Sequence, residues 1–352
     1  MTEEKIRLTK YSHGGGCGCK IAPQVLDEIL KGSVSGITSG KLIVGNGSRD
    51  DAAVYRLNDN EALISTTDFF TPIVDDPFIF GKVAAANAIS DVYAMGGDPI
   101  MALAILGWPI DKLPVEAARA VLDGAITICN EAGIPLAGGH SIDTPEPIFG
   151  LAVSGRVSMR HLKRNDTARE GDLLLLTKPL GVGILSTAGK RGAITEEDLE
   201  ILFSQLTRLN SVGGQLGKLD SVHAMTDVTG FGLGGHLVEM VEGSGLSAVL
   251  EYSKVPILAG VHQYLAQNIM PDATYRNWNG YGAKIELSPE INIMDAFRIL
   301  PDPQTNGGLL IAVSPDGLEA AREILTDNGY DAFTEPIGRI TAKGEKAITV
   351  LA

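Results

Sequence analysis

Apolar positions recur along this chain in two rhythms. From Phe78 to Met95 almost every residue is alanine or another apolar type, which predicts a helix buried all round and stopped by Gly96-Gly97. From Pro114 to Ala132 the apolar positions fall on one face, predicting an amphipathic helix entered through proline. Val25, Ile29 and Leu30 carry helical spacing over 22–31, ended by Gly32. Short aliphatic runs predict strands over 42–44, 52–57, 62–67, 100–106, 134–137 and 148–157. The second half predicts strands over 173–177, 222–225, 248–252 and 309–313, with two more near the C-terminus. Helices are predicted there over 196–216, 236–242 and 318–328, while 268–300 has weak periodicity.

The polar run His161 to Asp172 separates the two patterns and reads as an interdomain connection. The resulting divisions are a glycine-rich arm, helix and linker over 1–40, an α+β domain over 41–160 and an α/β domain over 161–352.

Composition narrows the function. With 352 residues and 44% hydrophobic content, the chain can build two cores. A net charge of −14 argues against nucleic acid as a partner. No apolar stretch is long enough to span a bilayer, and the start Met1-Thr2-Glu3-Glu4-Lys5 is not a secretory signal. Only Cys17, Cys19 and Cys129 are present, which suits a reducing cytoplasm.

Candidate chemistry begins at His13-Gly14-Gly15-Gly16-Cys17-Gly18-Cys19-Lys20. Glycines let the backbone approach a ligand, and the Lys20 cation favours the thiolate form of a nearby cysteine. The segment reads as a mobile, reactive arm that closes over an anion. His13, Cys17 and Cys19 give at most three donors, fewer than structural zinc usually takes.

Aspartates stand where elements meet loops: Asp51 beside Asp50, Asp68 at a strand end and Asp227 before a glycine loop. Each alone is readily a turn or cap residue. Asp91 is different, because it lies inside the apolar helix, where a carboxylate is costly without a partner or cation. Asn87, one turn earlier, is placed to orient it. Aspartates converging from several elements would suit Mg²⁺ shared with substrate phosphates. The loops Gly45 to Asp51, with Arg49, and Gly138-Gly139-His140-Ser141 offer amides and polar side chains to a nucleotide.

Two phosphate motifs compete. Gly183 to Arg191 lacks the spacing and the Ser/Thr of a Walker A loop. Gly230-Phe231-Gly232-Leu233-Gly234-Gly235 fits G-x-G-x-x-G between a strand and a helix, with Glu251 beyond, so a dinucleotide site is a real rival. Asp227 at its mouth opposes a bare pyrophosphate. His161, His223 and His262 read as surface residues, His236 as structural, and Cys129 as a core thiol.

Together, Gly-Gly-Gly-Cys17-Gly-Cys-Lys20, Asn46-Gly-Ser-Arg-Asp-Asp51, Thr66-Thr-Asp68-Phe-Phe, Asn87-Ala-Ile-Ser-Asp91, Ala137-Gly-Gly-His-Ser, Met225-Thr-Asp227-Val-Thr-Gly-Phe-Gly and Asp302-Pro-Gln-Thr-Asn-Gly-Gly resemble the selenophosphate synthetase family over nearly the whole chain. The resemblance implies the aminoimidazole ribonucleotide synthetase-like two-domain architecture, with residues 41–160 as the ATP- and Mg-binding α+β domain. It implies that ATP, selenide and water give selenophosphate, AMP and orthophosphate, with Mg²⁺ and a monovalent cation, commonly K⁺. It implies Cys17 and Lys20 as catalytic, Asp51, Asp91 and Asp227 as Mg²⁺ ligands, and Lys20, Ser48, Arg49, Asp50, Asp68, Asp91, Gly139, His140 and Ser141 as ATP contacts. It also implies a homodimer, a selenide-delivery protein and enzymes that use selenophosphate. Asn306 departs from the serine common in that family's loop, with no evident effect on the ATP site. Rival functions are a purine-pathway ligase of the same superfamily, disfavoured by the Cys17/Lys20 arm, and a non-enzymatic carrier of metal or chalcogen.

Overall fold

The apolar run near residue 80 forms the helix α1 (Pro77–Ala94), and Asp76 caps it by accepting from the amide of Ile79 at 2.9 Å. The structure is a computed structural model describing residues 6–12, 14–19, 25, 28–29, 40–45 and 50–352. Lys20, Ser48, Arg49 and His13 lie outside the described residues, as do most of the 22–31 helix and the linker after it. Val25, Glu28 and Ile29 are helical.

The N-terminal α+β domain is a six-stranded sheet with α1 and α2 (Val115–Glu131) packed together on it. Its strands are β1 (Leu42–Val44), β2 (Ala53–Arg56), β3 (Glu61–Phe70), β4 (Asp98–Trp108), β5 (Leu136–Asp143) and β6 (Ile148–Ser158), ordered β1-β2-β3-β6-β4-β5. Among the described residues of this sheet, only β4 and β5 pair in parallel. The sterics of α1 against α2 require small residues: a Cβ on Gly81 would sit 1.8 Å from the carbonyl of Val121.

The C-terminal α/β domain is a mixed seven-stranded sheet. In chain order it contains β7 (Leu173–Leu176), α3 (Val182–Lys190), α4 (Glu196–Thr207), α5 (Val212–Leu216), β8 (Val222–Asp227), α6 (Gly232–Ser244) and β9 (Ser247–Glu251). Then follow α7 (Val261–Ala266), α8 (Asp272–Tyr281), β10 (Ile285–Leu287), α9 (Ile293–Ile299), β11 (Leu309–Val313), α10 (Leu318–Asp327), β12 (Gly338–Thr341) and β13 (Ile348–Leu351). The sheet order is β10-β13-β9-β12-β7-β11-β8, so β8 is an edge strand held by β11.

Several sequence expectations change. The predicted 196–216 helix is two helices, because the chain leaves helical geometry at Arg208, which is extended, and re-enters it at Ser211. The Walker-like stretch Gly183 to Arg191 is helix α3, and its Gly183 amide donates to Asp302 Oδ2 at 3.1 Å. Gly138 to Ser141 is not a loop but the middle of β5. A Cβ on Gly139 would lie 2.1 Å from the carbonyl of Ala104, so close strand pairing accounts for that glycine. The interdomain run is anchored: Lys163 is buried and donates to the carbonyls of Leu219 and Val222, both at 2.8 Å. No helix among the described residues is long and apolar enough to cross a membrane.

Candidate functional site

Three elements bring carboxylates to the seam between the domains. Asp51 precedes β2, Asp91 lies on the buried face of α1, and Asp227 is the last residue of β8 rather than the start of a loop. Each is oriented by a hydroxyl. Thr226 Oγ1 donates to Asp51 Oδ1 at 2.8 Å, Thr66 Oγ1 donates to Asp91 Oδ2, and Ser90 Oγ donates to Asp227 Oδ2 at 2.6 Å. Asn210 Nδ2 in turn donates to Ser90 Oγ and to the carbonyl of Gly307, both at 2.8 Å. Thr226 on β8 and Ser90 on α1 thus each hold an acid of the other domain.

The electrostatics follow from this crowding. Burial pushes the Asp51 carboxyl well above its ordinary range, and the charges of Asp227, Asp50 and Asp91 push it further. Burial also raises Asp50 to about 7, against the amide of Asn165, which donates to it at 3.1 Å. Oδ2 of Asp51 and Oδ2 of Asp50 are buried without hydrogen-bond partners. The unpartnered oxygen of Asp51 in a cluster of like charges fits a hard cation, whereas Oδ2 of Asp50 faces Arg164 Nε at 3.9 Å. Among the described residues, no three His, Cys, Asp or Glu side chains form a ready-made metal cage. Mg²⁺ does not need one, since it takes few protein carboxylates and completes its shell with phosphate and water.

Asn87 organises the neighbouring part of the site. Its Nδ2 donates to Asp68, and its Oδ1 accepts from the Cys17 thiol at 3.3 Å and from the amide of Asn306 at 2.7 Å. The sequence suggested that Asn87 orients Asp91; instead Thr66 does so, and Asn87 serves Asp68 and Cys17. Cys17 is buried, and its amide donates to Thr305 Oγ1 at 2.9 Å. Gly16 permits this docking: its φ is +55, and a Cβ at this position would lie 2.4 Å from Thr305 Oγ1.

Asn306 is more than a neutral departure. It is fully buried with φ +48, and its Nδ2 donates to the carbonyls of Leu206 and Arg208, both at 2.8 Å. The buried ammonium of Lys178 donates to the Asn306 carbonyl at 2.9 Å and to that of Arg208 at 2.7 Å. Burial pulls that ammonium down to about 7, partly offset by Asp227. Sequence reasoning missed Thr66, Ser90, Thr226 and Lys178. The sequence signal available was a hydroxyl residue next to Asp91 and next to Asp227, whereas Asp51 stands between Asp50 and Ala52.

Other site expectations separate. Gly139, His140 and Ser141 lie away from Asp68 within this chain. The register Asp68–Leu151–Ala104–Gly139 crosses three strand pairings, about 14 Å along the sheet. His223 is not simply a surface residue, because its Nδ1 lies 2.8 Å from Asp172 Oδ1. His236 is structural as expected, accepting from the Thr229 amide at 3.1 Å. Cys129 is a core thiol whose burial raises it to about 11. The glycine-rich turn at 230–235 follows an edge strand paired antiparallel, not a parallel βαβ crossover. The amide of Gly234 is taken by the carbonyl of Leu300 at 2.8 Å, so this turn is a packing joint rather than a pyrophosphate cradle.

Known proteins share this architecture. The N-terminal domain model of AIR synthase related proteins matches residues 49–157, and the C-terminal domain model matches 169–351. A selenide, water dikinase of Pseudomonas putida is 56% identical over 348 residues, covering 99% of each chain. One from Bordetella bronchiseptica is 56% identical over 350 residues, covering 98% of this chain and 99% of its own. The solved structure of hydrogenase maturation protein HypE in complex with ATP superposes with a TM-score of 0.65 at 19% identity, covering 97% of this chain and 93% of its own.

Proposed function

Because the chain belongs to the selenide, water dikinase family, an enzyme family of the AIR synthase-related fold, we propose that it makes selenophosphate at the aspartate seam and that Cys17 and Lys20 carry the catalytic chemistry. ATP is the phosphoryl source. ATP, selenide and water give selenophosphate, AMP and orthophosphate. In this reading residues 41–160 hold the nucleotide, and 161–352 supply Asp227 and the loop around Thr305.

The observation that carries this reading is the meeting of Asp51, Asp91 and Asp227, drawn from both domains, with an unpartnered buried oxygen on Asp51. These three residues would hold Mg²⁺. When bound, Mg²⁺ neutralises phosphate charge as phosphoryl leaves. Asp50, Asp68, Ser48, Arg49 and Lys20 complete the proposed nucleotide contacts. A monovalent cation, K⁺, belongs to the same proposal.

Cys17 receives or positions selenide. Its neighbour Asn87 holds the thiol beside Asp68, and the docked glycine segment excludes water, so that the transferred phosphoryl meets selenium first. Lys20, three residues on, offsets the charge of the anion.

A homodimer fits the same picture. Phe69, Leu103 and Ile142 share the outer face of the N-terminal sheet by register, and all three are exposed. Covering that face with a second copy would bury the apolar stripe. It would also let Gly139, His140 and Ser141 contact a nucleotide held by the other protomer. Selenide delivery by a protein and uptake of product by selenophosphate-using enzymes are part of the proposal, in the cytoplasm.

The test is AMP release from ATP, with and without selenide, in Mg²⁺ and K⁺ buffers. AMP that appears only with selenide supports the reading. AMP release indifferent to selenide would overturn it.

A further inference from the structure

We propose that the cavity behind the Gly14–Gly18 segment binds a tetrahedral phosphoryl oxyanion, the chemical class of both non-nucleotide products. The identity of the ligand rests on the function proposed above. The site itself rests on the residues that build it.

The cavity has a volume of about 370 Å³ and is lined by Lys190, Arg191 and Arg276, with Asp272 as the single carboxylate on its wall among the described residues. Such an excess of cations stands out in a chain of net charge −14 and attracts anions. The wall also includes Ser186, whose residue is 9% exposed and whose Oγ is buried with no hydrogen-bond partner. A buried hydroxyl without a partner is costly, and Ser186 borders both this cavity and the one lined by Ile194 and Leu202.

The cations have donors to spare. Lys190 Nζ donates to the carbonyls of Ser12 at 3.1 Å and Gly14 at 3.3 Å, and Arg276 Nη2 donates to the carbonyl of Gly18 at 2.9 Å. An ammonium has three N–H groups and a guanidinium five, so both can pin the glycine segment and still engage an anion. Guanidinium forks match the paired oxygens of a phosphoryl group, whereas selenide presents a single soft atom. Gly14, Gly15 and Gly18 line the cavity, while the Cys17 thiol turns to Asn87. A phosphoryl group formed beside Cys17 is therefore one glycine-rich segment away from this cavity.

The test is calorimetric titration of the full chain, without Mg²⁺, with thiophosphate and separately with orthophosphate. Thiophosphate stands in for the selenium product. Saturable binding that weakens about tenfold or more in Arg276→Gln or Arg191→Gln, the loss of a charge-assisted bond, supports the site. Tighter binding of thiophosphate assigns the cavity to selenophosphate, and tighter or equal binding of orthophosphate assigns it to inorganic phosphate. No saturable binding, or affinities unchanged in both variants, overturns the proposal. Selenide-dependent AMP release on the same wild-type preparation is read separately. Its failure would sink the function and not the cavity, and binding failure with normal AMP release would sink the cavity alone.

Discussion

Oδ1 of Asn87 accepts the amide of Asn306 across 2.7 Å, and the same oxygen accepts the thiol of Cys17 at 3.3 Å. One side-chain amide on α1 therefore joins the C-terminal loop to the cysteine segment. Its other end is committed to Asp68, so the orientation of the amide is determined by its partners.

Asn306→Ala should destabilise the protein by about 2–3 kcal/mol. The change removes two buried bonds and leaves a non-glycine residue at positive φ without local compensation. Urea unfolding checks this, and a loss under about 0.5 kcal/mol would contradict the anchoring role. Iodoacetamide should also modify Cys17 faster in this variant, since the Asn87 contact loosens.

Cys17→Ser should cut selenophosphate formation at least about a hundredfold, a loss expected when an essential reacting group is removed. Binding of a non-hydrolysable ATP analogue should stay within about twofold, as the aspartates are untouched. Phosphorus NMR of the product and calorimetry of the analogue separate the two effects. Near-full product formation would exclude a chemical role for the thiol.

Asp51→Asn and Asp227→Asn should each weaken Mg²⁺-dependent analogue binding by about tenfold or more, as expected when a carboxylate ligand is lost. The thermal stabilisation given by Mg²⁺ and analogue in the wild type should disappear with a chelator. Stabilisation that survives chelation unchanged would show that the acids do not act through a divalent ion.

Two buried groups predict opposite pH limbs. Asp302 is raised from 3.8 to about 8 by burial, so its contribution is fully present below about 4 and is lost as pH rises through about 8. Relative to Asp302→Asn, wild-type stability should fall across that window. Lys178 is lowered from 10.5 to about 7 by burial, so its contribution is present above 10.5 and is lost as pH falls through about 7. Relative to Lys178→Met, wild-type stability should rise from about 7 upward. Urea midpoints between pH 5 and 10 test both, and parallel profiles for wild type and variants would refute the shifts.

Leu103→Glu combined with Ile142→Glu should yield a monomer with an intact fold, because both positions are exposed on one sheet face. Sedimentation velocity reads the outcome. An unchanged sedimentation coefficient would show that this sheet face is not an interface between copies.

Much of this was legible because burial leaves a pattern. The all-apolar run of α1 announced a central helix, and Asp91 within it announced a carboxylate needing company. What could not be read was anything depending on which strands lie side by side. Gly138 to Ser141 resembles a loop in composition, yet close approach to Ala104 makes it a strand. The break after Thr207 was hidden because Arg208 and Asn210 look helix-compatible, and only the contacts with Asn306 and Ser90 explain their bend. Likewise Thr66 and Thr226 are ordinary strand residues until the fold turns their hydroxyls to Asp91 and Asp51.

The edge position of β8 has a consequence for biosynthesis. Asp227 is paired opposite Leu309, and β11 is the strand that holds β8 in the sheet. A growing polypeptide that still lacks β11 has no strand to pair with β8 opposite Leu309. The backbone of Asp227 therefore takes its place in the sheet only after residue 309 has been made.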